Sequence, residues 1–131
     1  MLRKGLATTL CLLCMGATFA NGKEQVNLKG YLVDMMCADS YAHDPEALSK
    51  AKEHATECSL MTHCKKAGYA VVTEDGKIYK LDKAGNKMVA DILDKTKEKE
   101  GLMVSVEGSV DGKILHVKSI AETSIESTKV K

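Results

Sequence analysis

The chain has very few aromatic residues. It contains no Trp, four Tyr and a single Phe, Phe19. Proteins that hold single-stranded nucleic acids usually stack the bases on aromatic faces, and many sugar-binding sites use the same device. The composition therefore argues against both ligand classes, although it is otherwise ordinary for a small globular domain.

The charge is balanced, and the usual signatures of enzymes are missing. Lys and Arg number 19 and Asp and Glu number 18, which gives a formal net charge of +1. No basic stretch is available to neutralise a phosphate backbone, so a nucleic-acid partner is not expected. There is no Ser/His/Asp order, carboxylate pair or phosphate-cradling glycine loop, so we expect a binding protein rather than an enzyme.

The sequence lacks an apolar run long enough to span a membrane. The longest one, Leu6–Met15, is short and follows the cationic Arg3 and Lys4. Thr18-Phe19-Ala20 comes next, with small residues where a signal peptidase reads them. This order is typical of a secretory signal peptide at 1–20. We therefore expect a periplasmic or secreted protein without a stable membrane anchor, whose mature part, 21–131, forms one domain.

The mature part shows the pattern of a small mixed α+β domain. Val26–Asp34 alternates apolar and polar residues like a strand, and Asp75-Gly76 and Asp111-Gly112 mark the turns of two later hairpins. A helical pattern lies between the hairpins. Without a helical insertion at 38–68, the order is β-β-β-α-β-β. That order predicts an OB-like five-stranded barrel with its helix between strands three and four, the alternative being a small α+β sandwich.

Two details of this prediction are specific. Pro45 suits the first turn of a helix and Gly68 suits its end, so a single helix is expected from Pro45 to Ala67. In the second hairpin, a two-residue turn would place Val106 opposite Val117.

The cysteines point to chemistry in the insertion. Of the five cysteines, two leave with the signal peptide, and Cys37, Cys58 and Cys64 remain. Three thiols cannot all pair within one chain. A disulfide with a spare thiol, a metal site that uses all three, or an intermolecular bond would each account for them.

A metal site is the sharpest hypothesis. On one continuous helix, His54, Cys58 and Met61 would share a stripe, and Cys64 would border it. Cys37 leaves the first strand and can fold back over that stripe. Three thiolates and one imidazole satisfy tetrahedral zinc, and Met61 as an auxiliary ligand would favour copper(I).

Two other interpretations remain open. A disulfide from Cys37 to Cys58 or Cys64 would staple the insertion to the barrel of a structural, partner-binding domain. Six residues of a continuous helix rise ~9 Å, which exceeds the usual Cα–Cα separation in a disulfide. A Cys58–Cys64 bond would therefore need a break in the helix near Met61–Thr62. Alternatively, one cysteine is a reactive thiol of a redox protein, as Cys64 has Lys65 and Lys66 nearby.

Several segments resemble a group of small, uncharacterised exported bacterial proteins. These are Gly30-Tyr-Leu-Val-Asp-Met-Met-Cys37, the spacing His54-x₃-Cys58-x₅-Cys64-x₃-Gly68-Tyr69, and Gly108 with 113–120. The resemblance covers nearly all of the mature chain and implies export, but no established activity. The strand order also looks like that of periplasmic bacterial OB-fold proteins, and that likeness is topological only.

Overall fold

A computed structural model of the chain describes residues 23–124. The predicted signal peptide, 1–20, therefore lies outside the described residues. Between residues 23 and 124, no helix is long and apolar enough to cross a membrane.

The five strands form a closed barrel in the order β1-β2-β3-β5-β4. β3 and β5 run parallel, and the other neighbouring pairs run antiparallel. The predicted OB-like α+β fold is therefore confirmed. The strands are β1 (Glu24–Asp34), β2 (Tyr69–Thr73), β3 (Ile78–Leu81), β4 (Met103–Asp111) and β5 (Ile114–Glu122).

Four short helices fill the insertion between β1 and β2, and a longer helix lies between β3 and β4. The insertion contains α1 (Met35–Tyr41), α2 (Ala47–Lys52), α3 (Thr56–Leu60) and α4 (Thr62–Ala67), and the longer helix is α5 (Lys83–Lys95). Asp82 caps α5, because its side chain accepts a hydrogen bond from the Gly85 N–H at 2.9 Å.

The expectation of one helix from Pro45 to Ala67 is wrong. The chain breaks after α2 because backbone groups bond instead to the segment that precedes β4. The Thr56 N–H donates to the Lys99 carbonyl at 2.9 Å, and the Gly101 N–H donates to the His54 carbonyl at 3.0 Å. A second break falls at Met61, whose backbone is extended. Tertiary hydrogen bonds thus override a helical pattern that the local sequence carries.

The predicted register of the second hairpin is also wrong. Val106 pairs with Ile120, and Val117 pairs with Gly108. The turn is displaced, since Asp111 pairs with Ile114, and an irregularity between Glu107 and Gly108 shifts the register again. A bulge of this kind bends a strand, which a small closed barrel requires, and periodicity alone does not reveal where it falls.

The molecule has two buried layers. The interior of the barrel is apolar and includes Leu32, Val71, Val104 and Leu115. The second layer lies between the outside of the barrel and the insertion, where residues such as Val33, Ala38, Ala51 and Val72 pack. This outer layer explains why the last five residues of β1 are all buried instead of alternating. The cysteines and His54 lie in or beside it.

The close approach of β1 and β2 requires a glycine in β1. A Cβ atom on Gly30 would lie 2.5 Å from the Val72 carbonyl oxygen, well inside contact distance. Gly30 therefore lets the two strands pack closely just before β1 enters the outer layer.

Candidate metal centre

Asp34 lies where β1 ends and α1 begins. It is the N-cap of α1, and its Oδ1 atom accepts a hydrogen bond from the Cys37 N–H at 3.0 Å. The residue is completely buried, with 0 % of its surface exposed. The cap brings the Cys37 side chain back towards the carboxylate that ends the strand.

The second carboxylate oxygen of Asp34 is the unusual atom of this region. Oδ2 lies 3.1 Å from His54 Nε2, which is an ion-pair distance. The contact lacks hydrogen-bond geometry, and among residues 23–124 this buried oxygen has no hydrogen-bond partner. A buried carboxylate oxygen without a partner costs free energy, so its presence in a folded protein calls for a reason.

His54 is held in the linker between α2 and α3. Its backbone is fixed by the hydrogen bond from Gly101, and its Nε2 lies 3.1 Å from Ser59 Oγ. Burial lowers the pKa of His54, although the charge of Asp34 acts in the opposite direction. Burial thus favours the neutral imidazole, which is the form that binds a metal.

Asp34, Cys37 and His54 form a compact donor set. One ligand atom from each, a carboxylate oxygen, a thiol sulfur and a ring nitrogen, lies within 4.8 Å of the others. The three residues come from the end of β1, from α1 and from the α2–α3 linker. This cluster can hold a metal ion.

The other two cysteines lie around the same carboxylate. Cys64 in α4 is buried, and its pKa is raised by that burial and by the adjacent Asp34 carboxylate. Cys58 in α3 is partly buried, and its charge is among the smaller causes that raise the pKa values of Cys37 and Cys64. Cys58 and Cys64 therefore lie near enough to act on these pKa values, but among residues 23–124 neither belongs to the group whose ligand atoms lie within 4.8 Å of one another. The predicted set of three thiolates stays a prediction.

Met61 is placed differently from the other predicted ligands. It lies at the break between α3 and α4, and 50 % of its surface is exposed. The continuous stripe of His54, Cys58 and Met61 does not exist, because the helix that would carry it is interrupted. The stripe hypothesis nevertheless selected His54 and Cys37, which the fold does bring together.

The disulfide interpretation remains a prediction. Cys37, Cys58 and Cys64 are free thiols in the structure. The break that a Cys58–Cys64 bond would require is present at Met61.

Cys37 does not have the environment of an activated thiol. Burial first, and then the charge of Asp34, raise its pKa to about 11. The neighbouring Tyr41 is affected in the same way, since burial and Cys37 raise its pKa to about 12. A reactive cysteine needs a lowered pKa, so the surroundings of Cys37 disfavour thiol chemistry in the metal-free protein.

Asp34, His54 and Ser59 resemble a catalytic triad in composition only. Ser59 Oγ and Asp34 Oδ2 both lie 3.1 Å from the same ring atom, His54 Nε2. A triad needs the serine and the carboxylate on opposite nitrogens of the imidazole. Ser59 is also 1 % exposed, which keeps its hydroxyl away from any substrate. The arrangement is therefore a buried polar cluster and not a hydrolase site.

A second layer of hydrogen bonds supports the cluster. The Tyr69 hydroxyl donates to the Ser59 carbonyl at 2.9 Å, and the Tyr69 N–H donates to Asn86 Oδ1 at the same distance. These contacts tie α3 to β2 and to α5. They fix the backbone that positions the Ser59 hydroxyl beside the imidazole.

Sequence reasoning missed Asp34 as a candidate ligand. The available signal was its position, three residues before Cys37 and at the end of a buried strand, where an N-cap aspartate directs its carboxylate towards the first turn of a helix. A capping role accounts for Oδ1 alone. Only the three-dimensional structure shows that Oδ2 lies next to an imidazole 20 residues further along the chain.

The fold and the cluster together define a small OB-like barrel with a buried Asp/Cys/His group that can hold a metal. No protein-family model, no curated protein and no solved structure matches the chain.

Proposed function

We propose that the protein is an exported, non-enzymatic module that binds one transition-metal ion, with zinc as the preferred metal. The ligands are Asp34, Cys37, His54 and Cys64. The signal-like sequence at 1–20 supports export to the periplasm or the medium.

The observation that carries the proposal is the unpartnered Asp34 Oδ2 beside His54 Nε2. Zinc binds oxygen and nitrogen ligands at about 2.0–2.2 Å, so two such ligands on a tetrahedral ion lie roughly 3.3 Å apart. The observed 3.1 Å fits two atoms that share one ion. A metal would also satisfy the buried oxygen, for which the described residues provide no hydrogen bond.

Cys64 is the best fourth ligand. It is more deeply buried than Cys58, and after burial the Asp34 carboxylate is the largest cause of its raised pKa. Its sulfur lies outside the group of three ligand atoms that are within 4.8 Å of one another, so it would have to approach the ion on binding. A shell of one carboxylate, one imidazole and two thiolates suits zinc. Copper(I) prefers a purely soft shell, and the exposed Met61 does not belong to the buried cluster.

A shell of four protein ligands makes binding, rather than catalysis, the function of the site. Catalytic zinc sites keep one position open for water or substrate, whereas structural sites are closed. Every proposed ligand except Cys37 is buried, and Cys37 is partly buried. The ion would join β1 to three parts of the insertion.

Metal analysis of the purified full chain tests the proposal. We expect one zinc per chain by elemental analysis and by native mass spectrometry, with copper(I) offered in parallel. Asp34→Asn keeps an oxygen to accept the Cys37 N–H but removes the anionic ligand, so it should lose zinc. Asp91→Asn, at an exposed position of α5, is the matched control and should keep it.

The rival functions give different results in the same experiment. A chain that lacks stoichiometric metal and is lighter by two hydrogens would identify a disulfide-stapled structural domain. A metal-free chain with one rapidly alkylated cysteine would identify a thiol redox protein. Copper(I) binding that survives Asp34→Asn but not Met61→Leu would replace zinc with a soft-metal site.

A further inference from the structure

An open cleft of about 620 Å³ lies on the other side of α1 from the candidate metal centre. One wall is formed by α1, through residues that include Met35 and Ala38. The other lining residues come from the β2–β3 turn and β3 and from the β4–β5 turn. A cleft of this volume lies in the range of ordinary ligand sites.

The cleft exposes an incomplete sheet edge. On its β2 side, β3 is paired back to Ile78, which lies opposite Val72. On its β5 side, pairing starts only at Lys80, whose N–H donates to the Lys113 carbonyl at 2.8 Å. Because backbone groups of a strand alternate in direction, the N–H and C=O of Ile78 face the same side as those of Lys80. No strand between residues 23 and 124 pairs with that edge at Ile78.

The charge of the cleft is mainly positive. Lys77, Lys80 and Lys113 line it, together with the carboxylate of Asp39. Lys77 Nζ lies 3.6 Å from Asp75 Oδ2, whereas Lys80 and Lys113 form no ion pair with residues 23–124. Between the lysines, the surface is apolar and includes Ile114, which is 45 % exposed. An apolar strip beside a free strand edge, with cations around it, is complementary to an extended chain that alternates acidic and apolar side chains.

We propose that this cleft binds an acidic, extended peptide segment of another protein, which adds as a strand beside Ile78 of β3. Main-chain hydrogen bonds to the free edge would provide affinity, and Lys80 and Lys113 would select acidic side chains. Tyr79 is the only aromatic residue in the lining, so stacking of nucleic-acid bases has little support. The proposal is independent of the metal centre, whose cysteines do not line the cleft.

A labelled peptide tests the proposal directly. The probe is a fluorescein-labelled hexapeptide of alternating Glu and Val, and binding to the full chain is followed by fluorescence anisotropy. We expect saturable binding that weakens with salt, and no binding of the matching Lys/Val peptide. Two further probes carry backbone N-methyl groups on alternate residues, in the two possible frames. Since only one edge of an added strand faces β3, one frame should abolish binding and the other should retain it.

Variants locate the site. Lys80→Glu combined with Lys113→Glu should weaken binding by about tenfold or more. Lys87→Glu, on the exposed face of α5, makes the same kind of charge change away from the cleft. As the matched control, it should have little effect on peptide affinity. Circular dichroism checks that each variant is folded.

Five results would overturn the proposal, the first four of them in the binding assays. These are no binding of the acidic peptide, equal binding of both N-methylated frames, binding unaffected by the double lysine variant, and tighter binding of a single-stranded oligonucleotide or of anionic phospholipid vesicles than of the peptide. Self-association of the chain through the same edge, detected by sedimentation, would replace the peptide with a second copy and would also overturn it.

Discussion

The barrel interior and the outer layer beneath the insertion are built on different principles. The interior is a continuous apolar core inside a closed sheet, so its stability follows from burial alone. The outer layer combines apolar contacts with a buried carboxylate, an imidazole and thiols. Its four helices have only five to seven residues each. Isolated helices of fewer than about 12 residues are marginal, so the insertion depends on what ties it together.

The barrel is held by its own apolar core, whereas on the proposed function the insertion is also held by ligands that join its parts. The donors of the cluster come from β1, α1 and the α2–α3 linker, and the proposed fourth ligand, Cys64, comes from α4. A metal bound by all four would cross-link the insertion to the strand it leaves. Metal binding and the folding of the insertion are then parts of one equilibrium.

The largest expected effect is in the barrel interior and should not depend on metal. Leu115 is completely buried in the core. Leu115→Ala removes three buried carbon atoms and leaves a cavity, so it should lower the free energy of unfolding by about 2–5 kcal/mol. Urea denaturation with zinc and with a chelator should give the same loss. A loss that appears only with zinc would contradict the separation of the two layers.

The next effect is the zinc-dependent stability of the outer layer. With free zinc at roughly 100 times its dissociation constant, binding should stabilise the native protein by about 2.7 kcal/mol. Cys64→Ser should weaken zinc binding by more than the roughly 10- to 100-fold that loss of an outer-shell partner costs. Cys58→Ser is the matched control and should keep both affinity and stabilisation. If Cys58→Ser weakened zinc binding and Cys64→Ser did not, Cys58 and not Cys64 would be the fourth ligand.

Hydrogen exchange should show where that stabilisation falls. Amides of α1, of the α2–α3 linker and of α4 should gain protection when zinc is added, because the proposed ligands lie in these segments or cap them. Amides of β4 and β5 should already be protected without it. Equal changes in both regions would indicate that the insertion and the barrel unfold as one unit.

A smaller effect concerns the reactivity of Cys37 in the metal-free protein. Since its pKa is raised to about 11, the thiol is protonated at neutral pH. Alkylation by iodoacetamide, followed by peptide mass spectrometry, should be slow at pH 7 and should accelerate up to about pH 11. In the unfolded chain, the rate should level off above the ordinary thiol pKa of roughly 8.5. Rapid alkylation of folded Cys37 at pH 7 would favour the redox interpretation.

The smallest effect is expected at Met61. This side chain is half exposed at a helix break and lies outside the buried cluster. Met61→Leu should therefore change zinc affinity by less than about threefold, as expected for a surface substitution. Isothermal titration of the variant beside the parent chain measures this. A large loss of affinity would place the thioether in the shell.

Much of the barrel could be predicted from the sequence, because strand alternation and Asp-Gly turns are local signals. The register of the second hairpin could not, since the bulge at Glu107–Gly108 is a response to closure of the barrel. The single helix from Pro45 to Ala67 failed for a related reason. The partners of His54 and Thr56 are backbone groups at residues 99–101, far away in the sequence.

Only part of the candidate site could be predicted from the sequence. Cys37 and His54 could be selected as chemically distinctive residues in one segment. Asp34 could not, because an aspartate at the end of a strand is adequately explained as a helix cap. Its second oxygen can be identified as a candidate ligand only because His54 lies beside it. Tertiary hydrogen bonds of the backbone determine the position of His54.

X-ray absorption at the zinc edge of the metal-loaded full chain tests the central claim most directly. The account predicts a four-ligand shell with two sulfurs at about 2.3 Å and two nitrogen or oxygen atoms at about 2.0–2.1 Å. In Asp34→Asn, this signature should disappear. A shell of nitrogen and oxygen alone, or a sulfur signature that Asp34→Asn leaves unchanged, would contradict it.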